Sequence, residues 1–109
     1  MRLARRVPIT SKERAALRAE AHQLSPAVHV GHQGVTPALL QSLDDALRTR
    51  ELVKVQLSKN ADERPKEIAS RLASELDADV VQVIGRTATF YRENPDLERK
   101  PGAPPPWRR

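Results

Sequence analysis

Residues 28–37 read Val-His-Val-Gly-His-Gln-Gly-Val-Thr-Pro, the densest run of groups able to do chemistry in this 109-residue chain. Gly31 and Gly34 enclose His32 and Gln33. Glycines let a backbone turn tightly and let a ligand approach without meeting a side chain. Thr36 suits the cap of a following helix and Pro37 its first turn, where no N–H is needed. Amides left exposed beside the positive end of a helix dipole favour an anion such as phosphate. The expectation is a loop that grips a polyanion backbone. A Gly-x-x-Gly spacing is common, so a plain strand-to-helix turn stays open as the alternative.

Other chemistries find less support. His22, His29 and His32 suggest a metal, and His29 and His32 have an H-x-x-H spacing. A metal needs several convergent ligands, and neither a third ligand nor an acid falls between these two, so no metal or cofactor is expected. No cysteine is present and no G-x-S-x-G element occurs. Asp44, Asp45, Glu63, Glu67 and Glu75 fall on helical surfaces or loops and read as solvated charges. No catalytic residue is assigned. The basic side chains Lys12, Arg14, Arg18, Lys54, Lys59, Arg86 and Arg92 are expected to surround the glycine loop and form a surface that tracks phosphates. Tyr91 and Trp107 are the only candidate exposed aromatics, with Phe90 assigned to the core. So few stacking platforms argue against a reader of several single-stranded bases and favour a folded RNA recognised through its backbone and shape.

Composition bounds these readings. The length gives room for one domain with a real core. No apolar run is long enough to cross a membrane, and no long apolar segment follows the basic start Met1-Arg2-Leu3-Ala4-Arg5-Arg6, so neither a span nor a secretory signal is expected. The lack of cysteine fits a reducing compartment, and a cytoplasmic monomer is the expectation. The net charge is +5, with the excess on the two flanks: residues 1–9 carry +3, residues 92–109 carry +2, and residues 10–91 sum to zero. Basic tails add sequence-independent affinity for polyanions. They also leave a second reading open, a protein-interaction module whose tails contact acidic partners. A small hydrolase acting on RNA is a third.

The elements that position these groups follow in order. Thr10-Ser11-Lys12-Glu13 is a capping box, opening a helix to about Gln23 with a weak stripe of Ala16, Leu17, Ala21 and Leu24. Lys12, Arg14 and Arg18 can line its exposed side. Ser25-Pro26 breaks the helix, residues 27–30 form a short strand, and the glycine loop follows. A second helix from Pro37 to about Arg50 carries Leu39, Leu40, Leu43, Ala46 and Leu47 at helical spacing. Residues 52–57 form a strand with Val53, Val55 and Leu57 on one face and Leu52, Lys54 and Gln56 on the other. Pro65 opens a third helix with Ile68, Ala69, Leu72, Ala73 and Leu76 buried. Residues 80–84 and 87–91 are strands joined by Gly85-Arg86, which suits a type II′ turn.

The fold class expected is therefore α/β (α+β), with the order α-β-α-β-α-β-β. Two right-handed crossovers and a hairpin give a four-stranded mixed sheet. The second and third helices cover one face and the first packs at the side or on the other face. Residues 1–9 are expected to be a basic extension, 10–92 the domain, and 93–109, with five prolines, a flexible tail without its own core.

Four stretches together resemble a known family: residues 10–26, residues 28–36, Glu51-Leu52-Val53-Lys54-Val55, and Val81-Gln82-Val83-Ile84-Gly85-Arg86-Thr87-Ala88-Thr89-Phe90-Tyr91-Arg92. The chain resembles the CRM domain in its bacterial stand-alone form, the YhbY-like proteins. The resemblance implies a fold like the C-terminal domain of translation initiation factor 3 and RNA binding through the GxxG loop. For bacterial members it implies association with precursors of the large ribosomal subunit, and related plant domains act in group II intron splicing. It carries the loop function onto Gly31, His32, Gln33 and Gly34, with His32 and Gln33 as the polar pair. It gives no counterpart for residues 93–109. The partner expected on this basis is large-subunit ribosomal RNA or a pre-ribosomal particle. The loop glycines Gly31 and Gly34 are expected to tolerate joint replacement by Asp without loss of the fold.

Overall fold

A computed structural model describes residues 8–59, 63–97 and 101–108. The Thr10 hydroxyl accepts from the Glu13 amide while the Glu13 carboxylate accepts from the Thr10 amide. This closed capping box opens α1 (Ser11–Ala21), which ends slightly before the expected Gln23. β1 (Val28–Val30) follows. Thr36 caps α2 (Pro37–Arg50) by accepting the Leu39 amide. Only Glu51, at φ 66°, separates α2 from β2 (Leu52–Leu57). Pro65 opens α3 (Pro65–Leu76), and Asp77 turns the chain in the left-handed region before β3 (Asp79–Ile84). Gly85 alone of the two hairpin residues has positive φ, as a type II′ turn requires, and β4 (Thr87–Tyr91) returns.

The element order matches the sequence expectation, and the sheet is mixed and four-stranded, in the order β1-β2-β4-β3. β1 runs parallel to β2, with His29 opposite Gln56, and β4 lies antiparallel between β2 and β3. The passage through α3 therefore skips one place in the sheet, and the last strand fills it. Strand alternation then sorts the side chains. Val53, Val55 and Leu57 of β2 and Ala88 and Phe90 of β4 join Leu43, Leu47, Ile68 and Leu72 of α2 and α3 in one aliphatic core.

The second face is different. Leu17 of α1 packs on Leu52 and Val81, and Ile9, Leu24, Tyr91 and Trp107 gather round them. α1 thus takes the second face and not merely the side. A register shift between Val80 and Gln82 makes this possible. Val80 pairs with Phe90 and Gln82 with Thr89, so Val81 is the extra residue of a bulge. Val81 then reaches the α1 side and Gln82 follows it there. Regular alternation would have sent one of them to the main core.

Residues 101–108, expected to be a flexible tail, return to this face. Pro106 is buried, Trp107 meets Tyr91 edge to face at 6.2 Å between ring centroids, and Arg108 pairs with Glu20 of α1. Residues 93–97 are also tied down. Asn94 donates its amide to Glu51 Oε2 at 2.6 Å and its side chain to the Arg48 carbonyl at 2.8 Å. Of the expected basic extension, residues 1–7 lie outside the described residues. Ile9 packs on the second cluster.

Candidate nucleic-acid interface

The glycine loop is built by two neighbours that fix its ends. The Ser58 amide donates to the Val30 carbonyl at 2.9 Å, holding the end of β1 against β2, and the Thr36 cap begins α2. Between them the Gly34 amide donates to the Gly31 carbonyl at 2.9 Å, closing a tight turn whose tip is His32 and Gln33, both exposed. The two glycines differ in backbone conformation. Gly34 sits at φ +75°, where a side chain is strained, and Gly31 does not; a Cβ on either would meet nothing within 4 Å. Joint replacement by Asp therefore adds backbone strain at Gly34, which replacement of Gly31 alone avoids.

A cleft of about 480 Å³ opens beside this turn, lined by His29, Gly31, His32, Gln33, Thr36 and Ser42 with small apolar neighbours and no acidic side chain. Not all of its amides face outward. Gly34 spends its N–H in the turn and Leu39 gives its own to Thr36. The amides of His32, Gln33 and Ala38 have no acceptor among the described residues. These three, beside the start of α2, are among the donors open to an anion.

The basic residues expected to ring this loop are distributed more widely. Lys59 follows Ser58 at the loop end of the sheet and is exposed. Arg86 reaches the same end, but its guanidinium is engaged: Nε donates to the Ser58 carbonyl at 2.9 Å and a second nitrogen donates to the same oxygen. It clamps the hairpin to β2, aided by the Leu57 amide on the Arg86 carbonyl. Arg14 lies across the start of β3, donating to the Val80 carbonyl at 3.3 Å, and Lys12, two residues earlier, is exposed. Arg18 and Lys54 line a separate pocket on the α1 face.

Arg92 is the correction among them. It is only 6% exposed. Its guanidinium donates to the Leu76 and Asp44 carbonyls at 2.9 and 3.2 Å and pairs with Asp44 Oδ1 at 2.9 Å. It joins α2, α3 and β4 and has no surface to offer a phosphate. Tyr91 and Trp107, expected as exposed stacking aromatics, are engaged with each other. No group of three His, Cys, Asp or Glu side chains converges among the described residues, and none of their helices is long and apolar enough to cross a membrane.

With the fold and this geometry in place, comparison with known proteins is decisive for the family. The CRS1 / YhbY (CRM) domain matches residues 9–92. The chain belongs to this family. Among its CRM relatives, the Bacillus subtilis protein named "Probable RNA-binding protein YqeI" is 35% identical over 86 residues, covering 79% of this chain and 90% of that protein. The Methanocaldococcus jannaschii "Probable RNA-binding protein MJ0652" is 41% identical over 86 residues, covering 77% of this chain and 63% of the other. The solution structure of the Staphylococcus aureus hypothetical protein SAV1595 superposes with a TM-score of 0.72 at 33% identity, covering 83% of this chain and 94% of that one.

This CRM domain thus presents two chemically distinct concavities: an amide-lined cleft at the sheet edge and a cationic pocket under α1. Sequence reasoning found Arg18 and Lys54 but missed the pocket's neutral members Gln82, Thr87 and Thr89. Their polarity inside strands was the available signal. The bulge that brings Gln82 beside Thr89 leaves no mark in the alternation.

Proposed function

We propose that this CRM protein is a non-catalytic, monomeric, cytoplasmic RNA-binding protein that assists assembly of the large ribosomal subunit. The observation that carries the reading is the acid-free cleft at residues 31–34 with the open His32, Gln33 and Ala38 amides. A phosphodiester would sit against those amides at the positive end of α2, approaching over Gly31, where no side chain intervenes. Lys59 would add charge at the same end, and Lys12, Arg14, Arg18, Lys54 and the remaining donors of Arg86 would supply the salt-dependent part of affinity. The names of the Bacillus and Methanocaldococcus relatives support RNA as the polyanion. The family resemblance supports precursor large-subunit ribosomal RNA as its source.

The test is Gly31→Asp, which places a negative charge in the cleft at a position with room for it. Affinity for large-subunit ribosomal RNA in a gel-shift titration is expected to fall at least about tenfold, or about 1.4 kcal/mol, with an unchanged circular dichroism spectrum. Unchanged affinity would sink the reading. Joint replacement of the flanking arginines Arg2, Arg5, Arg6 and Arg109 by Gln, which leaves Ile9 and Trp107 in place, is expected to flatten the salt dependence without abolishing binding. Complete loss with a native circular dichroism spectrum would transfer the function to the flanks.

A further inference from the structure

The pocket under α1 is not needed for the cleft described above, and its chemistry is more specific than a phosphate-tracking surface requires. We propose that it is a second RNA subsite that takes one unpaired nucleotide, a refinement that rests on the RNA-binding reading. Its volume is about 180 Å³, the share of roughly six waters at ~30 Å³ each. That is room for one base or one sugar-phosphate unit and too little for a helix. Arg18 and His22 come from α1, Lys54 from β2, Gln82 from β3, and Thr87 and Thr89 from β4.

None of Arg18, His22, Lys54 or Gln82 has a side-chain hydrogen bond or ion pair with another described residue, and no acid lines the pocket. Thr89 is 3% exposed as a residue and lines this space, and its hydroxyl holds no hydrogen bond to another described side chain, so it is open to a group that enters the pocket. Thr87 donates to Gln56 Oε1 at 3.3 Å and keeps its acceptor capacity. The set is therefore two strong cations for a phosphate, together with an amide and two hydroxyls for a base edge. Glutamine can bond an adenine edge with both of its polar atoms. A planar guanidinium can lie on a base face, and Ile84, 58% exposed at the rim, offers an apolar contact.

Position favours RNA over an acidic peptide. His29, Gln56 and Thr87 stand opposite one another across three strands, on the side away from the main core. They form a polar row from the cleft to this pocket. Two strand spacings make it about 10 Å long. A strand whose backbone is held at Gly31 can therefore reach the pocket along this row with its next unpaired nucleotide.

The full-length ¹⁵N-labelled chain is titrated separately with each of the four nucleoside 5′-monophosphates, with inorganic phosphate and with a poly-glutamate peptide. At least one nucleotide is expected to shift the Gln82 side-chain amide and the Thr87 and Thr89 amides where phosphate at the same concentration does not. Gln82→Ala and Thr89→Val are each expected to weaken that response about fivefold, the effect of one lost hydrogen bond. Shifts confined to residues 31–34, shifts reproduced by phosphate alone, a stronger response to poly-glutamate, or no response overturn the proposal. The two readings separate in Gly31→Asp. If nucleotide shifts at Gln82 survive while ribosomal RNA affinity falls, both stand. If RNA affinity is unchanged there but lost in Gln82→Ala, the cleft reading fails and this subsite stands.

Discussion

The two faces of the sheet are made of the same four strands and do different work. The face under α2 and α3 is continuous aliphatic packing, with Leu43, Leu47, Val55, Leu72, Ala88 and Phe90 fully buried. The face under α1 is divided. At one end Leu17, Leu52 and Val81 are stapled by Tyr91 and Trp107, and at the other Arg18, Lys54, Gln82 and Thr89 surround an open pocket. A face that carries the stability can be closed completely. The face under α1 keeps polar groups, and its apolar part is confined to one end. The difference shows why a chain with one Trp, one Tyr and one Phe uses its aromatics to hold the fold and none as an open stacking platform.

The comparison is tested most severely in the main core. Phe90→Ala is expected to destabilise the protein by about 3–5 kcal/mol, and Leu17→Ala on the other face by about 2 kcal/mol, measured by urea unfolding. Equal costs would mean that the second face is as tightly integrated as the first. Next comes Arg92, which sits at the far end of the main core. Arg92→Met leaves two carbonyls and Asp44 without its guanidinium, a cost of about 2–3 kcal/mol. RNA affinity of the folded protein is expected to be unchanged. A salt-dependent loss of affinity with native stability would restore Arg92 to the binding surface.

Trp107→Ala removes a half-buried ring from the staple, and a cost of about 2 kcal/mol in thermal unfolding is expected. No cost would show that the returning segment decorates α1 without securing it. The smallest effect concerns the start of α1. The Thr10 backbone amide and then its hydroxyl hold the Glu13 carboxyl below its ordinary value of 4.5. A lowered acid contributes stability above its ordinary pKa and loses it as pH falls through the lowered value. Protection of the first α1 amides from hydrogen exchange is therefore expected to decline as pH drops below 4.5, and Glu13→Gln should remove that pH dependence. Persistence of the decline in Glu13→Gln would assign it to another group.

Much of the fold was legible because its signals are local. The Thr10–Glu13 box, the Thr36-Pro37 start, the leucine spacing of α2 and the Gly85-Arg86 turn are each read within a few residues, and each forms as expected. The site was legible in part. Gly31, His32, Gln33 and Gly34 line one cleft, but the basic residues do not encircle it. Whether an arginine is solvated depends on what the rest of the chain brings to it, and a sequence window contains no such information.

The sequence by itself determined the helices and strands, their order, the face that β2 turns to the main core and the family. Periodicity, caps and turn residues act over three or four positions and are written directly in the chain. Only the tertiary structure decided that Arg92 is buried against Asp44, that Arg86 clamps Ser58, that Trp107 returns to α1, and that Gln82 shares a pocket with Arg18 and Lys54. Each of these joins residues at least 15 positions apart in the sequence, and each depends on burial or on one extra residue in β3, quantities that exist only once the sheet has closed.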